Sequence, residues 1–178
     1  MKIDNPFDKT EEFHQTFDNR RPQKPTAFSS KDASARAGFK AEELVEFLYA
    51  SAGNDKEAFH QLVEQLKQDV DAAEKKMEQK KKKVEDPLVD QVDALIDLLY
   101  FTYGSFSLLG VDPTKLFSIV HEANMGKLFA DGKPHYHEVT HKVLKPEDWE
   151  ANYAPEPKIK AELERQIAYK LKKRDGAD

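Results

Sequence analysis

The sequence predicts an all-α fold, a four-helix-bundle core with extra flanking helices and an irregular C-terminal segment. Three observations carry that prediction. Apolar residues recur at three- and four-residue spacing along most of the chain, the period of one helix face. Two Asp-Pro pairs, Asp86-Pro87 and Asp112-Pro113, set a capping acid before a proline that suits the first helical turn. No apolar–polar alternation runs for more than a few residues, so no strand competes.

At 178 residues the chain suits one domain, residues 1–178, with a core at about 30–128 and a C-terminal extension at 129–178. It has no Cys, which excludes disulfides, thiolate metal sites and a cysteine nucleophile. Against 33 Asp+Glu stand 28 Lys+Arg, a net charge of -5, and that balance argues against a nucleic-acid partner. The longest apolar region, Ala94 to Leu109, is broken by Asp97, Thr102, Ser105 and Ser107, short of the roughly 20 apolar residues of a membrane span. The start, MKIDNPFDKTEEF, has no apolar signal-peptide core. A cytoplasmic location with no membrane partner is the expectation. The Lys80–Lys83 run reads as a solvated helix end.

The elements follow in order. TEEFHQTFD, Thr10 to Asp18, is a short helix with Phe13 and Phe17 at i, i+4, and NRRPQKPTAFSS is a loop. Ser30 or Asp32 caps a second helix to about Ala52, ended by Gly53-Asn54. Asp55 caps a third, to about Lys83, with Phe59, Leu62, Val63, Leu66 and Val70 in one stripe. Asp86-Pro87 opens a fourth, to Gly110, apolar nearly all round and so placed in the middle of the bundle. Asp112-Pro113 opens a fifth, to about Leu128. Phe129 to Pro157 reads as irregular, and a last helix covers Pro157 to Lys173.

The chemistry lies in the carboxylates. Glu42, Glu43 and Glu46 share a face of the second helix. Asp90, Asp93 and Asp97 fall within roughly 60° of one another on the fourth. An unpaired carboxylate buried in an apolar bundle costs several kcal/mol, and neighbours raise one another's pKa. Lys40 is the only cation close to the glutamates, and Asp86–Gly110 contains no Lys, Arg or His. Hard divalent cations are then the expected neutralisers, and oxygen-only ligands favour Mg²⁺ or Mn²⁺. His121, Asn124 and Lys127 in the fifth helix, then Lys133, His135, Lys142 and Lys145, offer a wall suited to phosphate. HYHEVTH, with His135, His137 and His141, is a weaker candidate for zinc.

EELVE (Glu42–Glu46) followed by DALIDLLYFTYG (Asp93–Gly104) resembles the EExxE…ExxD signature of the all-α NTP pyrophosphohydrolases, a superfamily of MazG-like proteins, dimeric dUTPases and phosphoribosyl-ATP pyrophosphatases. FHQTFDNRRPQKPT, VHEANMGKLFADGKPHY and KVLKPEDW extend the likeness over about residues 10–150, to a MazG-like, phosphoribosyl-ATP pyrophosphatase-like subgroup. The resemblance implies Mg²⁺- or Mn²⁺-dependent cleavage of a nucleoside triphosphate between its α and β phosphates. It implies Glu43, Glu46 and Asp97 as metal ligands and Asn124 and Lys127 as the phosphate-side pair. The Glu of ExxD falls at Ala94, so Asp93, one residue earlier, is the candidate substitute. A metal-activated water would attack phosphorus, with Glu42 or Glu46 as its base. Lys127, with Lys133 and Lys145, would steady the departing pyrophosphate. Phe13, Phe17, Phe28 and Tyr103 are candidates for the base pocket. A family-like homodimer, with scope for further association, would cover the fourth helix. The alternatives are a non-catalytic nucleotide-binding or assembly module and a phosphoribosyl-ATP pyrophosphatase.

Overall fold

The structure is a computed structural model that describes residues 5–18, 20, 22–80, 83–139 and 141–175. It is all-α, as the sequence predicts. Among the described residues seven helices follow in order: α1 (Pro6–Phe17), α2 (Ser30–Ala52), α3 (Lys56–Lys80), α4 (Pro87–Leu109), α5 (Thr114–Met125), α6 (Trp149–Tyr153) and α7 (Glu156–Asp175). Of the third helix's expected stretch to about Lys83, residues 81 and 82 lie outside the described residues, and Lys83 is not helical.

Local chemistry explains the starts. The Asp55 carboxylate accepts from the amides of Glu57 and Ala58, both at 3.0 Å. Asp86 accepts from Leu88 at 2.9 Å and Asp112 from Thr114 at 2.9 Å. These acids occupy orphan amides of the first turn. Two starts differ from expectation. The cap of α2 is Ser29, which accepts from the Asp32 amide. α1 begins at Pro6 behind an Asn5 cap that accepts from the Asp8 amide at 2.9 Å. Asn-Pro there is the same signal as Asp-Pro before α4, one turn earlier than the reading at Thr10. Gly53 and Gly110, at φ +58° and +71°, stop α2 and α4 in the left-handed conformation that glycine tolerates.

The chain divides into two compact units. In the unit of residues 22–96, α2 packs on α3, with Tyr49 and Phe59 edge to face at 5.2 Å. The Phe28 amide donates to the Gln91 side chain at 2.8 Å, and that side chain donates back to the Phe28 carbonyl at 3.1 Å. No described side chain in this unit is buried. In the unit of residues 1–21 and 97–178, α5 packs on α1 and on α7. Its core is Phe17, Leu116, Ile119, Ala123 and Trp149. Leu116, Ile119 and Ala123 are one stripe of α5, and Phe13 stacks on Phe17 at 4.4 Å. Phe17 also lines an open cavity with Thr16, Asp18, Pro134 and Tyr136.

Two expectations are corrected. The segment after Phe129 is irregular, with an isolated bridge between Tyr136 and Val143, but it also contains the five-residue α6, too short to carry a helical period. The fourth helix is not enclosed: α4 has no buried residue, with Ile96 59 %, Leu99 54 % and Phe101 71 % exposed. Periodicity registers how apolar a helix is, and not which chain covers it. By length and composition alone, α4 would also suffice to cross a membrane.

Candidate functional site

α2 carries the glutamates. Its backbone continues unbroken from the Ser29 cap to Gly53, so Glu46 stands about one turn from Glu42 and Glu43. All three are exposed. The nearby cation is directed elsewhere, since the Lys40 ammonium donates to the Arg36 carbonyl at 3.2 Å. Partial burial, then the Arg36 charge, holds its pKa below the ordinary lysine value.

α4 carries the aspartates. Asp93 and Asp97 are exposed, and Asp90 is half-buried. Glu43, Glu46, Asp93 and Asp97 have no hydrogen-bond or ion-pair partner among the described residues. The expectation of carboxylates buried in an apolar bundle is therefore not met within one chain, because the apolar neighbours of Asp97 are themselves exposed. The donor chemistry suits a hard divalent cation. The placement does not complete a site, since no group of three or more His, Asp or Glu side chains among the described residues could hold a metal ion. The same finding removes the zinc reading of HYHEVTH. There His135 lies 3.0 Å from Asp131 and stacks on Phe129 at 4.1 Å. His135 holds the Asp131 carboxyl below the usual range.

Of the residues expected on the phosphate side, Asn124 and Lys127 are brought together. The Lys127 ammonium donates to the Asn124 side-chain carbonyl at 2.7 Å, in a partly buried setting at the end of α5. Lys145 lies 3.7 Å above the Trp149 ring, a cation–π contact. Lys133 is exposed, and its amide donates to Asp131 at 3.0 Å. His121 faces Glu12 of α1 at 3.2 Å, so it fastens α1 to α5. Phe28 and Tyr103 are exposed.

Sequence reasoning missed Glu162, the one buried charged side chain among the described residues. Arg165 grips it through two bonds, at 2.8 and 2.6 Å, with Gln166 at 3.1 Å and Lys115 at 3.2 Å. The Arg165 bonds first, then Gln166, hold its carboxyl down at about 2. Gln166 also pairs with the Asp112 backbone, at 2.9 Å in both directions. This cluster seats α7 on the start of α5. The ERQ run of Glu164–Gln166 is the only sequence signal, and it resembles any solvated helix.

The fold is an all-α scaffold with its acidic residues on α2 and α4, and with Lys127 and Asn124 joined at the end of α5. The profile of the phosphoribosyl-ATP pyrophosphohydrolase family matches residues 10–124, and the chain belongs to that family. A crystal structure from Exiguobacterium sp. 255-15, of a protein suggested to be an NTP pyrophosphohydrolase, is 40 % identical. It superposes with a TM-score of 0.83 over 93 % of this chain and 98 % of that one. No curated protein matches. Together they support a pyrophosphohydrolase activity in general terms.

Proposed function

We propose that the protein is a Mg²⁺- or Mn²⁺-dependent nucleoside triphosphate pyrophosphohydrolase of nucleotide-pool house-cleaning. It converts a (d)NTP and water to the (d)NMP and pyrophosphate, in the cytoplasm and as a homodimer or higher homo-oligomer. One observation carries the reading. Glu43, Glu46, Asp93 and Asp97 stand unpartnered among the described residues on two helices, and from Asp86 to Gly110 there is no basic residue. Asp55, Asp86 and Asp112 at helix starts and Glu162 in the core each have a donor.

Glu43, Glu46 and Asp97, with Asp93, are the residues that would hold the metal. Bound divalent ions supply neutralising charge and Lewis acidity at the phosphates. Glu42 or Glu46, on the same turns of α2, orients the attacking water and takes its proton. Asn124 and Lys127 bind phosphate oxygens, and Lys133 and Lys145 offset charge on the departing pyrophosphate.

A second copy of the chain covers α4. Leaving Ile96, Leu99 and Phe101 exposed wastes about 1.5–3 kcal/mol of burial for each side chain. Lipid is the poorer cover, since each aspartate at the centre of a membrane helix costs about 2.5–3.5 kcal/mol, and Asp93 and Asp97 both lie inside α4. A second copy brings an equally uncovered helix and the remaining donors of a metal site.

The test is pyrophosphate release from a panel of (d)NTPs and phosphoribosyl-ATP, with Mg²⁺ or Mn²⁺ and with chelator. Release of equimolar pyrophosphate and monophosphate, abolished by chelator, is the expected result. No turnover of any member at high enzyme concentration would favour a non-catalytic nucleotide-binding module, the reading that Ala94 in place of an acid supports.

A further inference from the structure

α5 ends at Met125, where the last carbonyls of a helix have no amide of their own. The Gly126 amide returns to the Glu122 carbonyl at 2.9 Å, and the Lys127 and Leu128 amides return to Asn124 and Met125, each at 3.2 Å. The Ala123 carbonyl is taken by a side chain from far along the chain: the Trp149 indole N–H donates to it at 2.8 Å, in a buried setting. Trp149 is 6 % exposed and Ala123 4 %, so this bond is made away from water, where losing the donor is costly. One turn further along α6, the Tyr153 ring lies against Gly126, closer than a Cβ there would allow. Gly126 has ordinary helical angles, φ -64° and ψ -5°. Glycine is needed there for the close approach and not for its backbone freedom.

Trp149 and Tyr153 thus hold residues 123 and 126, and between and beside these lie Asn124 and Lys127, joined at 2.7 Å. The anchor also carries Lys145, 3.7 Å above the indole ring. We infer that Trp149 and Tyr153 are positioning residues for the phosphate side: α6 sets the turn that aims Asn124 and Lys127, and the indole fixes Lys145 relative to them. The inference rests on the proposed pyrophosphohydrolase reading. It gives a role in that reaction to a segment beyond residues 10–124, the span that the family profile matches.

A static turn is what an aligned phosphate clamp requires, since a 1 Å misplacement can cost about 100-fold in rate. Trp149→Phe keeps an aromatic ring for Lys145 and removes the indole donor. Gly126→Ala drives the Tyr153 ring off the turn. Tyr153→Phe keeps the ring and serves as the conservative control. The readouts are kcat and KM on whichever nucleotide the unsubstituted protein hydrolyses, with helix content and melting temperature measured alongside. Losses of about 10- to 100-fold in kcat/KM are expected for Trp149→Phe and Gly126→Ala at temperatures where both remain folded, with Tyr153→Phe unchanged. Wild-type kcat and KM in both folded variants, with only the melting temperature lowered, would reduce α6 to structural glue and overturn the inference alone. No turnover by the unsubstituted protein would take down the inference and its parent reading together. Should the variants fail to fold, the emission of Trp149, the chain's one tryptophan, tests the same claim in the unsubstituted protein. A saturable change on adding inorganic pyrophosphate with Mg²⁺, absent in Lys145→Ala, supports it, and a flat titration overturns it.

Discussion

The two compact units of the chain differ in how much of themselves they bury. In the unit of residues 1–21 and 97–178, Asp18 is gripped by Arg20 at 2.9 and 2.6 Å, and Glu162 by Arg165, Gln166 and Lys115, while Asp97 on α4 has no partner among the described residues. Phe17, Leu116, Ile119, Ala123 and Trp149 form a core there, although Leu99 and Phe101 of α4 stay exposed. In the unit of residues 22–96, no described side chain is buried, and Glu43, Glu46 and Asp93 are left without partners among the described residues. One unit is stabilised by contacts it makes itself. The other presents apolar and acidic groups whose free energy is recovered only with something further bound, in our reading a second copy and a divalent cation.

Charging α4 should break this contrast most completely. The double substitution Leu99→Glu, Phe101→Glu leaves a single chain little changed, since both positions are exposed. In the assembly it buries like charges, so sedimentation should move from at least twice 20.4 kDa to the monomer mass, with loss of turnover. An unsubstituted protein that is already monomeric at high concentration would remove the contrast.

Next in size, Glu46→Ala and Asp97→Ala should lower kcat by more than about 100-fold, because losing even an outer support of a metal ligand costs 10- to 100-fold. Circular dichroism should show both variants folded, since neither side chain has a partner among the described residues to lose. Unchanged kcat in either would sink its assignment as a ligand.

In the self-sufficient unit, Leu116→Ala should cost about 2–5 kcal/mol in urea unfolding, because Leu116 lies in its core. A loss under about 0.5 kcal/mol, the size of an ordinary surface substitution, would show that this core is not closed.

The smallest effect is that of pH. Glu162 falls from an ordinary value of 4.5 to about 2, and Asp18 from 3.8 to about 2. A depressed carboxyl binds fewer protons folded than unfolded, so its stabilisation is complete above about pH 4.5 and drains away as pH falls toward 2. Melting temperatures between pH 5 and pH 2 should therefore decline, and Glu162→Gln should flatten the slope. An unchanged slope in that variant would contradict the assignment to Glu162.

Most of the fold was legible because its helix starts are written locally. Asp55, Asp86 and Asp112 each bond the amides that their positions predict. The start of α1 was legible too, in Asn5-Pro6, but went unread. α6 was not legible, since its five residues are placed by tertiary contacts at Ala123 and Gly126 and not by period. The identity of the acids could be read from the sequence. Their surroundings could not, because a helix that is apolar all round looks the same whether its own chain or another covers it. Glu162 escaped for the reverse reason, as its burial depends on Lys115 and Arg165 closing over it.

The proposed chemistry depends most directly on metal binding. Electron paramagnetic resonance follows free Mn²⁺ during titration with protein and needs no substrate. The unsubstituted protein should deplete the free signal saturably, and Glu43→Gln, Glu46→Gln together should abolish that depletion while the protein keeps its helix content and assembled mass. Undiminished Mn²⁺ binding in the double variant, or none in the unsubstituted protein, would contradict it.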